Sequence, residues 1–252
     1  MRVDRRSILG AAASAAMLAT PLGRVAAQGT PAPEAVSAPG YGITRVRALP
    51  TPELNAAIIP DVLARFLPRT AAVPGYRGYA ISQHASDPAA TITTTLLDDE
   101  AAAADAAAVA MEYVAALDPR FAVETPFAAE GQLRWYQLTD RPASELPPFL
   151  HGCHYTMRAR VNAPDVDMEA VIAEATEGLL PLTAAMPGFV LYCWIQTEVG
   201  RTAINIWETA DHLAAGNEAI AAWVDANIGV TSVGDAVVND GVIIYADFPQ
   251  LS

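Results

Sequence analysis

The chain has 252 residues, of which 52% are hydrophobic, so it can form one large domain or two domains of about 110 residues each. Its formal net charge is −13. An acidic surface repels phosphate backbones and anionic lipids, so nucleic-acid and membrane-surface partners are not expected. All 15 basic residues are arginine, which excludes Schiff-base and lysine general-base chemistry.

The N-terminal segment has the pattern of an export signal. Charged residues precede an Ala-rich apolar run that begins at Ile8, and Val25-Ala26-Ala27 offers small residues for cleavage. The run is too short and too weakly apolar for a membrane span. Arg5-Arg6 resembles the pair of a twin-arginine signal, although Ile8 and Gly10 replace the usual Phe and Lys. We therefore expect residues 1–27 to be removed on export to the periplasm or the exterior; the alternative is an N-terminal helix of the fold.

Cleavage after Ala27 removes four arginines and one aspartate, a net +3, so the charge falls from −13 to −16. Residues 28–40 are rich in Pro, Ala and Ser and are expected to form a disordered linker. Cys153 and Cys193 could form a disulfide in an oxidising compartment. Two buried, small apolar residues are the favoured alternative, because twin-arginine substrates typically cross already folded. No metal-binding or phosphate-binding motif occurs, so neither a metal nor another cofactor is expected.

The rest of the chain contains an internal repeat. Residues 74–79 read PGYRGY and residues 187–192, 113 positions later, read PGFVLY. Arg45 and Arg47 have counterparts at the same offset, Arg158 and Arg160, in strands that alternate apolar and charged residues. A doubled pattern of this kind predicts two similar structural units.

The predicted elements of the first copy, in chain order, are a strand at 43–47, a helix at 53–69, strands at 75–83 and 90–97, a helix that begins at 98–100, and a strand at 132–137. Those of the second copy are a strand at 156–160, a helix at 167–184, strands at 188–196 and 202–207, a helix that begins at 208–211, and a strand at 242–247. Pro60 and Pro181 are expected to kink or end the first helix of each copy. The offset falls from 113 to 110 after the hairpin, so the first hairpin is three residues longer.

Each copy therefore has the order β-α-β-β-α-β, which is the ferredoxin-like order. One such sheet leaves a face uncovered, and two can bury those faces against each other and close a barrel with the helices outside. The predicted fold class is α+β, a single-chain pseudo-dimer of repeats 41–140 and 151–252, joined by a linker at 141–150. We expect a monomer, because the second repeat supplies the partner sheet.

The arrangement resembles the dimeric α+β barrel superfamily and, within it, the antibiotic-biosynthesis-monooxygenase-like family. Three segments carry the resemblance: Met186-Pro187-Gly188-Phe189 with Tyr192, residues 203–208 (AINIWE), and the helix end at 221–224 (AAWV). The resemblance covers about 210 residues, all but the export signal and the linker. It indicates the fold well and the function poorly, because the family mixes enzymes, haem binders and proteins of unknown role.

The resemblance implies a pocket between sheet and helices that binds a small apolar or aromatic ligand. In its monooxygenases a phenolic, polyketide-like substrate reacts with O₂ without metal or flavin, in apolar walls with a few hydrogen-bond donors. Because aromatic residues concentrate in the second copy, we expect any pocket to lie in the C-terminal repeat. The candidate ligand-pocket residues are Tyr192, Trp194, Asn205, Trp207, Asn217 and Trp223. The simpler alternative is core packing for the aromatic residues and solvent exposure for Asn217.

The histidines are His84, His151, His154 and His212. His84, His151 and His212 are expected at the surface, whereas His154 is expected at the start of a strand, where its side chain points away from that of Cys153 and the two do not share a metal. His212 opens a helix and could ligate haem, but haem-degrading relatives carry a Trp where this chain has Gly216. Three functions therefore stay open. The first is an exported binding protein for an apolar or aromatic ligand. The second is a cofactor-independent monooxygenase, and the third is a haem-binding barrel protein.

Overall fold

The structure is a computed structural model, and it describes residues 40–139, 145 and 149–248. The predicted signal peptide lies outside these residues, as does the predicted N-terminal linker apart from Gly40, where the first strand begins. Most of the predicted inter-repeat linker lies outside them as well. Among the described residues, no helix has the length and apolar character that a membrane span requires.

Within the described residues, each repeat contains four strands and three α-helices, and a π-helical turn joins the first two helices. The elements of the first repeat are β1 (Gly40–Ala48), α1 (Pro52–Asp61), α2 (Leu67–Ala71), β2 (Tyr76–His84), β3 (Ala90–Leu97), α3 (Glu100–Ala115) and β4 (Glu124–Leu138). Those of the second are β5 (His154–Asn162), α4 (Met168–Glu174), α5 (Leu180–Ala184), β6 (Phe189–Gln196), β7 (Gly200–Trp207), α6 (Ala210–Asn227) and β8 (Ser232–Asp247). The predicted β-α-β-β-α-β order is confirmed in both copies.

The eight strands form one closed antiparallel barrel in the order β1-β3-β2-β8-β5-β7-β6-β4, with β4 pairing back to β1. Within a repeat the order is 4-1-3-2, and the repeats join through the pairs β2–β8 and β4–β6. The joint is symmetric, because the second strand of each repeat pairs with the last strand of the other. The predicted fold class, an α+β pseudo-dimer within one chain, is therefore confirmed. The predicted monomeric state stays a prediction.

The last strand of each repeat is longer than the apolar pattern predicts. β4 begins at Glu124 and β8 at Ser232, whereas the predicted strands begin at 132 and 242. The additional N-terminal halves pair with β1 and β5, and their side chains are largely exposed. They have little apolar alternation, so the pattern that reveals a half-buried strand is missing from them.

Proline does not end the first helix of either repeat. A π-helical turn joins α1 to α2 at Val62–Phe66, and its counterpart joins α4 to α5 at Ala175–Leu179. The positions that match at the offset of 113 are Pro68 and Pro181, each in the first turn after the π-helical turn. A π-helical turn accommodates the missing N–H of proline by shifting the hydrogen-bond register. The expected break is therefore a bulge within a continuous helix.

The barrel interior and the helix layers form separate cores. Tyr155 and Met157 on β5 are buried inside the barrel, where the Tyr155 hydroxyl lies 2.9 Å from Oγ1 of Thr94. Cys153 and Cys193 are buried in this interior and no disulfide joins them, as the favoured alternative predicts. Strand residues of the opposite parity face outward and are covered by the helices. Each of these outer layers contains a cavity between sheet and helices.

Candidate functional site

The helix layer of the first repeat contains a cavity of about 100 Å³. It lies between the outward face of β1, β2 and β3 and the inward faces of α1, α3 and the π-helical turn. Its walls are mainly apolar and include Ile43, Ile58, Val62, Phe66, Ala106 and Ala110. The floor is a sheet face and the roof is the Ala-rich helix α3, whose short side chains leave the space between them open.

Polar groups on the sheet line one side of this cavity: Arg45 and Arg47 on β1, Tyr79 on β2, and Thr91, Thr93 and Thr95 on β3. Arg45 pairs with Glu130 at 3.1 Å, whereas Nη1 of Arg47 donates to the Thr125 hydroxyl at 2.5 Å. Arg47 has no described carboxylate within ion-pair distance. Burial lowers the pKa of Arg47, and the guanidinium of Arg45 lowers it further.

Tyr79 lies within this polar group. Burial raises the pKa of Tyr79 to about 12, although the cations of Arg47 and Arg45 and a hydrogen bond with Thr93 act in the opposite direction. At neutral pH its phenol is therefore protonated and can donate a hydrogen bond. A neutral donor beside a guanidinium is an arrangement that stabilises a hydroxyl, carbonyl or developing oxyanion of a bound molecule.

The outer part of the cavity is held by Tyr113 on α3. Its hydroxyl donates to Oδ2 of Asp61 at 2.8 Å, and Asp61 also pairs with Arg65 at 3.2 Å. The ring of Phe66 packs against both Tyr113 and Tyr79, with centroid distances of 5.3 and 5.8 Å. These contacts tie α3 to the first helix across the cavity, so the space does not collapse.

The second repeat has a smaller counterpart of about 30 Å³. It is lined by Tyr192 and Trp194 on β6, Arg158 and Arg160 on β5, and Arg201 on β7, with apolar helix residues opposite. Trp135 on β4 packs edge-on against both aromatic residues, with centroid distances of 5.1 Å to Tyr192 and 5.7 Å to Trp194.

Matched positions explain the difference in size. The strand registers make Trp194 the counterpart of Ile81, since Ile81 pairs with Thr93 and Trp194 with Ala203. Arg201 is likewise the counterpart of Thr91, and Ile220 on α6 stands at the offset of 110 from Ala110. Larger side chains at these positions fill the second layer. The cavity of about 100 Å³ lies in the first repeat, so the expectation that any pocket lies in the C-terminal repeat is wrong for it. The aromatic residues of the second repeat fill their helix layer and leave only the cavity of about 30 Å³.

Two of the six candidate ligand-pocket residues, Tyr192 and Trp194, line the smaller cavity. Trp207 is fully buried against Phe189, and its ring fills the space beside Gly216. Its Nε1 donates to Oδ1 of Asn205 at 2.7 Å, so the buried amide has its partner within the core. Neither Asn205 nor Trp207 lines either of the two cavities.

The remaining two candidates lie on α6. Asn217 is half-buried rather than solvent-exposed, and its Oδ1 is buried with no hydrogen-bond partner among the residues that the structure describes. Trp223 is also half-buried and packs against Gly178 of the π-helical turn. The structure thus separates the six residues into a pair at the smaller cavity, a buried pair, and two helix residues. It does not bring them together around one site.

The two cavities do not fit haem. None of His84, His151, His154 and His212 lines either of them. A porphyrin is several times larger than benzene, which already occupies an engineered apolar cavity of about 150 Å³. His212 packs against Gly188 just before β6, and its Nδ1 is buried with no hydrogen-bond partner in the described part of the chain. The functions proposed for these cavities therefore involve no haem.

In the cavity of the first repeat, the residues that sequence reasoning missed are Arg47, Tyr79 and the alanines of α3. The signal for the arginines was present, since Arg45 and Arg47 repeat at the offset of 113. Alternating charge ordinarily marks a solvent-facing strand face. Here the same face is covered by helices, so its charged residues line a cavity.

Solved structures with the same architecture span most of the chain. An anthrone oxidase-like protein matches with a TM-score of 0.57 at 14% identity, and the match covers 84% of this chain and 95% of that one. A candidate monooxygenase from Fusobacterium nucleatum matches with a TM-score of 0.62 at 11% identity and the same coverage. A candidate chlorite dismutase matches with a TM-score of 0.56 at 9% identity, covering 81% of this chain and 94% of that one. Identities this low establish the dimeric α+β barrel fold alone.

No family model and no curated protein sequence matches the chain.

Proposed function

We propose that the protein binds a small molecule whose aromatic part occupies the cavity of the first repeat, and that it does so after export. The observation that carries the proposal is the cavity of about 100 Å³ between the sheet and α3. Engineered apolar cavities of about 150 Å³ bind benzene, so this space suits roughly one aromatic ring, with any further part of the ligand directed outward. The export part of the proposal rests on the signal-like pattern of residues 1–27.

The lining supports a ligand with one polar group. Phe66 offers an aromatic contact, while Tyr79 and Arg47 offer hydrogen-bond donors on the sheet side. A phenol meets both requirements, because its ring contacts the apolar wall and its oxygen accepts from a donor. A hydrocarbon of the same shape has no oxygen to accept hydrogen bonds from Tyr79 and Arg47, so it is expected to bind more weakly.

Equilibrium dialysis with p-cresol and toluene tests the proposal. We expect saturable binding of p-cresol with one site per chain, weaker binding of toluene, and loss of the preference for p-cresol in Arg47→Met. Arg120→Met is the matched control, because Arg120 is an exposed arginine that does not line the cavity and pairs with Asp118 at 3.8 Å. Absence of saturable p-cresol binding would overturn the proposal.

A second candidate is a cofactor-independent monooxygenase that acts on a phenolic or polyketide-like substrate. The pair of Tyr79 and Arg47 favours it, since a neutral donor and a cation stabilise the enolate oxygen that forms when a substrate such as anthrone loses a carbon-bound proton to water. O₂ is the oxidant of that enolate, and the products are the quinone and water. Two fold neighbours are named as an anthrone oxidase-like protein and a candidate monooxygenase. Anthrone is therefore the first substrate to test.

An oxygen electrode separates the two functions. The oxygenase predicts O₂ consumption with anthrone above the rate without protein, and a decrease of that rate in Tyr79→Phe. A protein that only binds its ligand leaves the uncatalysed rate unchanged while still retaining p-cresol in dialysis.

A further inference from the structure

A second feature lies outside the proposed ligand cavity, around Arg201 on β7. This residue is 5% exposed, so its guanidinium is almost completely removed from water. Its Nη1 donates to Oδ1 of Asn162 at 2.7 Å and to the Thr231 carbonyl at 3.2 Å, and its Nη2 donates to the Thr231 hydroxyl at 2.8 Å. All three acceptors are neutral. A buried charge is ordinarily paired with an opposite charge, so a buried cation with neutral partners alone needs an explanation.

Two more arginines line the same cavity of about 30 Å³. Arg158 and Arg160 lie on the outward face of β5, and Arg160 is the direct cross-strand partner of Arg201. No described carboxylate lies within ion-pair distance of any of the three. Asp240 is the carboxylate whose charge acts on Arg158, and its Oδ1 accepts a hydrogen bond from the Thr156 hydroxyl. Like charges on directly opposed residues repel each other, so the cluster destabilises the sheet unless an anion balances it.

The cavity also contains a hydrogen-bond donor with no acceptor. Trp194 is 3% exposed and lines the cavity, and its Nε1 has no hydrogen-bond partner among the described residues. The guanidinium carbon of Arg201 lies 5.7 Å from the centroid of the same indole. The Trp194 N–H and the three guanidinium groups therefore line one small cavity. This local positive charge contrasts with the net charge of the chain, which is −13.

We infer that this cavity, lined by Arg158, Arg160, Arg201 and Trp194, is a binding site for a small monovalent anion. About 10–15 Å³ of such volume holds one water, so a space of about 30 Å³ holds an anion of the size of chloride or formate. The opposite wall is apolar, formed by Leu179, Ile220 and Val224, and excludes a second shell of water. Larger anions such as gluconate do not fit. The first repeat has no equivalent site, because Thr91 stands where Arg201 does and Arg45 is already paired with Glu130.

Thermal unfolding at constant ionic strength tests the site. Sodium chloride or sodium formate replaces sodium gluconate, so the total ion concentration is unchanged and only the anion differs. An anion that binds the folded protein alone raises the unfolding midpoint as its concentration rises. We expect this rise for the wild type with chloride and with formate. For Arg201→Met we expect an apparent affinity for chloride about tenfold weaker, as loss of roughly 1.4 kcal/mol of charge-assisted contact requires.

Arg120→Met is the matched control, because it removes the same charge from an exposed arginine that pairs with Asp118 at 3.8 Å. It should retain the full chloride response. Should Arg201→Met fail to fold, Arg158→Met replaces it, since Arg158 is only half-buried. Broadening of the ³⁵Cl resonance by the folded wild type is an independent measure of chloride binding. The inference is overturned if chloride and gluconate give the same midpoint for the wild type, or if the arginine variants respond to chloride as the wild type does. These outcomes do not depend on whether p-cresol binds in the first repeat.

Discussion

Filling the cavity of the first repeat with one larger side chain should stabilise the protein and abolish ligand binding. Ala110 lines this cavity, and its counterpart in the second repeat is Ile220, which is buried in the smaller cavity. Ala110→Ile adds three carbon atoms, and burial of each is worth about 0.8 kcal/mol, or about 2.4 kcal/mol together. The cavity volume gives a similar figure, since about 100 Å³ at about 24 cal/mol per Å³ is again about 2.4 kcal/mol.

The lower helix propensity of isoleucine reduces this gain by up to about 0.7 kcal/mol, so we expect a net stabilisation of about 2 kcal/mol. For a domain of this size that corresponds to a rise in the unfolding midpoint of about 4–8 °C. Calorimetry measures the midpoint, and dialysis measures the loss of p-cresol binding. Ala108→Ile is the matched control, because Ala108 is exposed on the same helix and should show only the propensity loss.

The reasoning is refuted if Ala110→Ile destabilises the protein by about 1–3 kcal/mol, which is the signature of overpacking in a layer that is already full. It is equally refuted if the variant gains stability and still binds p-cresol with wild-type affinity, because the ligand then occupies a different place.

Three further predictions concern other parts of the molecule. Asn205→Ala leaves the buried Nε1 of Trp207 without an acceptor and should lower the free energy of unfolding by about 1–3 kcal/mol in a denaturant titration, with p-cresol affinity unchanged; weakened binding instead would restore Asn205 to the ligand site. The pKa of Tyr79 is raised from 10.0 to about 12, so the folded state holds its proton between these values and stability falls as pH rises through them. Tyr79→Phe should remove up to about 3 kcal/mol of that alkaline loss, and an identical pH profile would count against the burial of its phenol. Cleavage within 142–148 should leave halves that fold poorly alone, since each loses the partners of β2–β8 and β4–β6; two stable monomeric halves would disprove a shared barrel.

The repeat made the fold predictable, because a doubled Pro-Gly corner has a specific backbone requirement. Gly75 and Gly188 both have positive φ, 82° and 72°, a conformation that glycine adopts at little energetic cost. The Asp99 and Thr209 caps also fall within the predicted helix starts. Turn and cap residues act locally, so sequence reveals them without knowledge of the tertiary structure.

The site was predicted less well, because a cavity is defined by what its walls lack. Trp194 and Trp207 attract attention in a sequence, yet large side chains fill space as readily as they line it. The cavity of the first repeat depends on Ala106 and Ala110, which are inconspicuous in a run of alanines. Only the packing of α3 over the sheet shows that their small size leaves a space.

A crystal structure of the protein grown with 4-bromophenol tests the central claim most directly, because bromine is located by its anomalous scattering. The account predicts a bromine peak in the cavity between Phe66 and Ala110, with the phenol oxygen near Tyr79 and Arg47. A peak beside Tyr192 and Trp194 in the second repeat, or no peak in the first repeat at saturating ligand, would contradict it.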